Sequence, residues 1–221
     1  MIGAMAKGAP LPPAGPQNGK RKRLTAEARR DSILAAGRSV FLEQGLNGSR
    51  TRTIAEQAGI TEAVLYRHFE SKEEIFEAAV LQPLRAQLDD LLERSRALLA
   101  GGDERPRLTM RLESLWLEQL QEIVPLLGPA LFDDEVLGRQ CYRDIVLPFL
   151  QRFQTAAVVA GLLPAGEASV LVRAMFGTNL LLVLDRLQLG QGVDIPSLAG
   201  QLSDLYSLGL SGGESLRGAS R

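Results

Sequence analysis

The stretch 51–72, TRTIAEQAGITEAVLYRHFESK, decides the fold of this chain. Gly59 stands between two short segments whose apolar residues recur at helical spacing, and it permits a tight turn there. Thr61 and Ser71 are residues of the kind that cap helices, and Glu74 completes a capping box with Ser71. The stretch therefore predicts two short helices joined by a tight turn, followed at once by the start of a longer helix.

Two short helices of this kind form a helix-turn-helix unit when their facing sides are apolar. The residues expected to face inward are Ile54, Ala55, Ala58, Ile60, Leu65 and Phe69. The outer face of the second helix is then left to Glu62, Ala63, Val64 and Arg67, with parts of Tyr66 and His68. Small side chains near the start of that helix would let it lie deep in a DNA major groove.

Further groups around this unit give the segment from about 27 to 87 a family resemblance. In chain order they are Ile33-Leu34-Ala35-Ala36, Phe41 with Gly45, residues 54–55 with 58–61, Leu65-Tyr66 with His68-Phe69, and Ser71-Lys72-Glu73. In this order and spacing they resemble the DNA-binding domain of the tetracycline-repressor (TetR) family. The rest of the chain resembles that family only in length and helical character.

The resemblance implies an all-α fold, with an N-terminal three-helix helix-turn-helix DNA-binding domain and a C-terminal helical domain for ligand binding and dimerisation. It implies a repressor that binds a palindromic double-stranded DNA operator as a homodimer and is released by a small, largely apolar inducer. It implies no cofactor and no catalytic activity.

The resemblance also assigns DNA contacts residue by residue. Thr51 and Arg52 would contact the backbone and some base edges, Thr61 to Val64 would enter the major groove, and Tyr66, His68 and Lys72 would contact phosphates. The full expected set is Arg50, Thr51, Arg52, Thr61, Glu62, Ala63, Val64, Tyr66, Arg67, His68 and Lys72.

This chain departs from the usual family pattern at two places. Arg50 stands where the family often has threonine, so Ser49 or Thr51 is expected to cap the following helix. Glu62-Ala63-Val64 stands where Lys-Gly-Thr is common, so the operator sequence cannot be transferred from relatives.

The distribution of charge supports a DNA-binding N-terminal end. The whole chain has a net charge of −1, but residues 1–72 carry 12 Lys or Arg against 6 Asp or Glu, and residues 73–221 carry 13 against 20. A basic N-terminal segment on an acidic body is expected when only one end meets a polyanion.

The chain divides into four predicted segments: a disordered basic arm (1–24), the helix-turn-helix domain (25–72), the helical ligand-binding and dimerisation domain (73–210) and a flexible tail (211–221). Helices are expected at about 25–44, 51–58, 62–68, 72–99, 107–124, 135–160, 167–188 and 195–208. A short separate segment is expected at 125–133, with kinks at Pro83 and Pro148.

The helical body contains candidates for an inducer site. They are Trp116, Gln119, Leu120, Phe132, Phe149, Phe153, Met175 and Asn179. These residues suit a pocket for an apolar or aromatic molecule, and the aromatic ones equally suit an ordinary core. An inducer wedged among Trp116, Phe149, Phe153 and Met175 would push the helix from 72 onward. The recognition helix, which packs on it through Phe69, Ile75 and Phe76, would move with it.

The segment 167–188 is apolar nearly all round, which a monomer of this size cannot easily cover. Pairing with the segment 195–208 across a two-fold axis would cover it, so the last two helices are the expected homodimer interface.

The composition argues against other classes of protein. One His, one Cys, no Gly-rich phosphate loop and no metal-ligand spacing give no catalytic residue and no metal site. No signal-peptide core or apolar stretch of about 18 to 20 residues is apparent, so a cytoplasmic bacterial protein without a membrane partner is expected. The alternatives left open are an activator, a ligand-independent DNA binder and, more distantly, an all-helical enzyme.

Overall fold

The computed structural model describes residues 25–190 and 194–218, except the side chains of 207–218, and every regular element in these ranges is helical. The arm predicted for 1–24 lies outside the described residues. The helices are α1 (Ala26–Gly48), α2 (Thr51–Gln57), α3 (Glu62–Leu65), α4 (Lys72–Phe76), α5 (Gln82–Ala100), α6 (Arg105–Phe132), α7 (Glu135–Cys141), α8 (Leu147–Val159), α9 (Ala168–Leu189) and α10 (Ile195–Gly218). Two π-helical turns, Glu77–Leu81 and Tyr142–Val146, join α4 to α5 and α7 to α8. The predicted all-α fold class is confirmed.

Local signals set the ends of the first helices as predicted. Gly45, with φ of 69°, breaks α1 before its last turn, and Gly59, with φ of 65°, follows α2. The Thr61 hydroxyl accepts a hydrogen bond from the Val64 amide at the start of α3. The Ser71 hydroxyl accepts one at the start of α4, as in a capping box.

The predicted side-chain cap of α2 is wrong. Arg50 occupies the capping position and its side chain makes no capping hydrogen bond. The Ser49 hydroxyl instead donates to the Leu46 carbonyl at 2.8 Å, and the Thr51 hydroxyl donates to the Glu62 carboxylate at 2.7 Å. A hydrogen bond to a carboxylate is stronger than one to a neutral acceptor, which favours this use of Thr51.

Helices α1 to α4 form the N-terminal head, whose apolar core fixes it to the long helix that follows. Phe41 of α1 and Phe76 of α4 are buried and meet edge to face, with ring centroids 5.1 Å apart. Gly37 allows this approach, because a Cβ atom there would lie 2.8 Å from the Ile75 side chain. A movement of α4 therefore moves the head with it.

Helix α6 is the centre of the body and packs against α5, α9 and α10. The prediction that its helix ends near Val124 is wrong, since α6 continues through Pro125 and Pro129 to Phe132. A proline inside a helix costs about 3 kcal/mol or more. Burial of apolar side chains along the same segment offsets this cost. Those side chains are Ile123, Val124, Leu126, Leu127 and Ala130.

The sequence predicts kinks at Pro83 and Pro148, and the structure has a π-helical turn just before each of these prolines. The Gln82 amide bonds to the Glu77 carbonyl, and the Leu147 amide bonds to the Tyr142 carbonyl, five residues back in each case. The proline that follows each turn has no amide to continue the ladder, and the wider turn takes up the interruption.

Helix α9 has the predicted extent and composition. An 18-residue window of this 22-residue helix has a mean hydropathy of 1.5, and the helix could cross a membrane by length and composition, so the expectation that no stretch would do so is wrong. In the body α9 buries Val172, Met175 and Val183 against its neighbours. Its outer side leaves Val170 and Leu181 exposed at 72% and 60%.

Helix α10 continues to Gly218, so it does not end near Leu208 and the tail predicted to be flexible from 211 is helical as far as 218. No proline follows Pro196 in this helix, and each of its glycines costs only about 1 kcal/mol relative to alanine.

Candidate functional site

The eleven residues expected to contact DNA all lie at least partly at the surface of the head. Six are exposed: Arg50, Arg52, Thr61, Ala63, Tyr66 and Arg67. The other five are half-buried: Thr51, Glu62, Val64, His68 and Lys72. Helix α3 is shorter than predicted, because the Arg67 and His68 amides bond to carbonyls only three residues back and tighten the last turn.

A chain of hydrogen bonds ties α3 to the start of α2. The Tyr66 hydroxyl donates to the Thr51 hydroxyl at 3.2 Å, and Thr51 donates to the Glu62 carboxylate at 2.7 Å. The bond to Thr51 holds the Glu62 carboxylate against α2. Ala63 and Arg67 remain the exposed side chains of this segment that make no side-chain bond in the described part of the chain.

Two cations of the head tie residues 61–69, which we call the recognition segment, and the start of α4 to α1. The Arg30 guanidinium donates to the His68 carbonyl at 2.9 Å and lies 4.1 Å from the centre of the Phe69 ring. The Lys72 ammonium donates to the Leu46 carbonyl at 2.6 Å and to the Ser49 carbonyl at 3.1 Å, where it satisfies the end of α1.

These contacts give both Arg30 and Lys72 a structural role within the head. Sequence reasoning missed Arg30, because its partners lie 38 residues away and no local pattern marks them. The role of Lys72 on phosphates stays a prediction, and its ammonium already has a structural role within the head.

The aromatic residues expected around an inducer form a filled core cluster. Trp116 lies 4.7 Å from Phe153 and 5.7 Å from Phe149 between ring centroids, and its indole N–H donates to the Ser95 hydroxyl at 3.1 Å. Leu120 and Met175 are also buried, and Gln119 is half-buried. Phe132, by contrast, is 84% exposed.

Asn179, another expected ligand residue, belongs to a buried polar cluster with Glu113. Its side-chain amide donates to one Glu113 carboxylate oxygen at 2.6 Å. The second Glu113 oxygen and the Asn179 carbonyl oxygen are buried without a hydrogen-bond partner in the described chain. Burial raises the pKa of Glu113 to about 7, and the bond from Asn179 opposes that rise.

An apolar cavity of about 300 Å³ lies between α6, the second π-helical turn, α8 and α9. Of the eight expected ligand residues, only Phe132 lines it. Its apolar walls include Val124, Leu127, Leu131, Val146, Leu150 and Phe176. Arg173 is the charged residue of the lining.

An open groove of about 640 Å³ adjoins this cavity and shares Leu131, Phe132 and Tyr142 with it. The groove adds two arginines, Arg139 and Arg143, and the carboxylate of Glu135.

The end of α6 that lines the cavity also contacts the head. Asp133, the next residue after Phe132, accepts the Asn47 backbone amide on its carboxylate at 2.7 Å, and its carbonyl accepts the Asn47 side-chain amide at 2.8 Å. We call this contact the Asp133–Asn47 clasp. It joins the cavity wall directly to the end of α1.

The remaining chemistry-bearing groups are few in the described ranges. Burial raises the pKa of the Cys141 thiol to about 11, so the thiol is the stable form at neutral pH. Among residues 25–190 and 194–206, no group of three or more His, Cys, Asp or Glu side chains could hold a metal ion.

The fold and the exposed α3 define a helix-turn-helix unit joined to a helical body. Residues 33–79 match the model of the family described as bacterial regulatory proteins, tetR family. The N-terminal domain of the chain is thus similar to the DNA-binding domain of that family.

Individual relatives agree with this assignment. The chain is 35% identical over 105 residues to the transcriptional activator FasR of Mycolicibacterium smegmatis, covering 47% of this chain and 46% of FasR. It is 38% identical over 91 residues to the transcriptional repressor KstR2 of Rhodococcus jostii, covering 41% and 40%. The matched segment is thus less than half the length of either relative.

A solved structure resembles most of this chain. The transcriptional regulator FadR from Bacillus subtilis, in complex with stearoyl-CoA, has a TM-score of 0.58 and 20% identity. The alignment covers 79% of this chain and 96% of FadR. At this identity the likeness shows that the two share a fold.

Proposed function

We propose that this chain is a ligand-responsive transcriptional regulator, acting as a repressor in the bacterial cytoplasm. The observation that carries the proposal is the exposed recognition segment: Ala63 and Arg67 project from a head that the Arg30 and Lys72 contacts hold rigid. KstR2 is a repressor and FasR an activator, which supports regulation of transcription and keeps activation as the second candidate. If footprinting shows that the protein protects DNA upstream of the polymerase site, and not the polymerase site itself, the result would favour activation.

Replacing Arg67 with alanine tests the DNA-binding surface. Because the guanidinium makes no bond within the described chain, its removal should leave the fold intact and weaken binding to every DNA sequence about tenfold. The slope of log affinity against log salt concentration should fall by about one. Arg94→Ala is the matched control, since Arg94 lies on α5 in the body and pairs with Asp90. Equal DNA affinities for the two variants would exclude this face as the binding surface.

The dimer belongs to the same proposal. Val170 and Leu181 of α9 and Leu205 of α10 leave apolar side chains more than half exposed, on the two helices that the sequence assigns to the interface. A second copy related by a two-fold axis would cover them and present two α3 helices to neighbouring turns of the major groove.

We also propose that the clasp carries the ligand signal to the head. A molecule in the cavity would contact the end of α6, and Asp133 at that end holds Asn47. Asp133→Ala should bind DNA without ligand about as well as the unaltered chain, and ligand should release it less effectively. Glu43→Ala on α1 is the control. An unchanged effect of ligand on Asp133→Ala would place the coupling elsewhere.

A further inference from the structure

We propose that the Glu62 carboxylate recognises a cytosine in the DNA major groove, and that Thr51 holds the carboxylate in position for this contact. The proposal rests on the proposed DNA-binding function and names a base that each half-site of the operator must contain. Three features carry it: the hydrogen bonds of Glu62, its lack of an ion pair and the donors that base edges offer.

The Glu62 carboxylate is held through one of its two oxygens. The Thr51 hydroxyl donates to Oε1 at 2.7 Å, and the Tyr66 hydroxyl donates to Thr51 at 3.2 Å. The other oxygen, Oε2, accepts no hydrogen bond from the residues that the structure describes. A carboxylate has several lone pairs, so Oε2 can accept from DNA while Oε1 stays bonded to Thr51. A side chain that is already held in place loses less conformational freedom when it binds.

The negative charge of Glu62 is not neutralised by an ion pair. Arg52 of α2 pairs with Glu56 at 2.9 Å, and Glu62 forms no ion pair with any described residue. A carboxylate brought against DNA is repelled by the phosphates and also loses its hydration there. Glu62 should therefore weaken binding to every sequence that offers no hydrogen-bond donor to Oε2.

Base edges in the major groove offer only two kinds of donor. These are the N4 amino group of cytosine and the N6 amino group of adenine, whereas guanine and thymine present acceptors. Adenine also has the N7 acceptor beside its amino group, and an acceptor repels a carboxylate. Cytosine has no acceptor on its own major-groove edge, so it is the base that a carboxylate prefers. Ala63 beside Glu62 is small and exposed, which lets this end of α3 approach the base edges.

Selection from random double-stranded DNA, followed by competition between duplexes that differ at one base pair, tests the proposal. We expect the unaltered chain to select cytosine at one position of each half-site, and to bind about tenfold less tightly when thymine or guanine replaces it. Glu62→Gln keeps an oxygen that accepts from Thr51 and gains an amide that donates, which suits the N6 and N7 atoms of adenine. The base selected at that position should therefore change from cytosine to adenine.

Two further variants separate recognition of the base from structural support and from charge. Thr51→Val keeps the shape of the side chain and removes its hydrogen bond to Glu62, so the preference for cytosine over thymine should fall about threefold. Glu70→Gln is the matched control, because it removes the same charge from an exposed position of the head. This control should still select cytosine.

If Glu62→Gln selects the same bases as the unaltered chain, the proposal is wrong, and Glu62 only braces α2 against α3. The same change of base in Glu70→Gln would also overturn it, because the loss of charge alone would then explain the effect. In both cases the unaltered chain still selects a site, so the proposed DNA-binding function stands. Recovery of no shared sequence by the unaltered chain would overturn the function and the proposal together.

Discussion

Replacing Glu113 with glutamine should stabilise the protein by about 3 kcal/mol at pH 8 and by almost nothing at pH 4.5. The Glu113 side chain is fully buried, and burial raises its pKa to about 7 in the folded chain, above the usual value of a glutamate. Below the unfolded pKa the carboxyl group is neutral in both states and carries no penalty. Between the unfolded pKa and the folded pKa, Glu113 ionises in the unfolded chain but stays protonated in the folded chain. The free energy of unfolding therefore falls as the pH rises through this range.

Glutamine removes this ionisation and keeps an oxygen that accepts from Asn179. Its amide can also donate to the unpaired carbonyl oxygen of the adjacent Asn179 side chain. Urea unfolding at a fixed protein concentration, between pH 4.5 and pH 8, measures the difference. Glu118→Gln, an exposed position on the same helix, is the control and should show no such trend. A Glu113→Gln advantage that is absent at pH 8, or constant with pH, would refute this account of the cluster.

Replacing Leu181 with glutamate should convert the protein to monomers. Leu181 is 60% exposed on one protomer, so the fold tolerates the change, but a carboxylate buried without a partner between two protomers costs several kcal/mol. The dimer dissociation constant should rise at least a hundredfold. Operator affinity should fall by a similar factor, because the two heads no longer bind as one unit.

Sedimentation velocity measures the association state directly. Val159→Glu is the matched control, since Val159 is 83% exposed at the end of α8 and lies outside the proposed interface. Circular dichroism should show equal helix content in both variants. If the Leu181→Glu variant remains fully dimeric, the middle of α9 is not part of the dimer interface.

Features governed by neighbouring residues could be predicted from the sequence. The caps at Thr61 and Ser71 and the turn at Gly59 depend on backbone groups within a few positions, and the structure has all three. The cap of α2 could not be predicted in the same way. The Thr51 hydroxyl donates its hydrogen bond to the Glu62 carboxylate. Glu62 lies close to Thr51 only because α2 and α3 cross.

The helix ends and the cavity of the body could not be predicted in this way, because they depend on packing between helices that are distant in sequence. Pro125 normally ends a helix, yet burial of Leu126 and Leu127 keeps α6 continuous to Phe132. Residue type alone predicts a ligand site at Trp116 and Phe153, but large aromatic side chains suit a filled core and a cavity wall equally. Only the three-dimensional arrangement shows that the cavity lies beside this cluster and is lined by Phe176, whose ring packs against Trp116.

The central claim is that α3 binds the DNA major groove and that two chains related by a two-fold axis bind together. The most direct test is to let the full chain select its binding site from a random pool of double-stranded DNA. We expect enrichment of an inverted repeat whose half-sites lie about one helical turn, roughly ten base pairs, apart. Affinity for the selected site should fall steeply with salt, and Val64→Ala should change the preferred bases in both half-sites. Recovery of no shared sequence, or of one that Val64→Ala and Arg67→Ala leave unchanged in sequence and affinity, would contradict the claim.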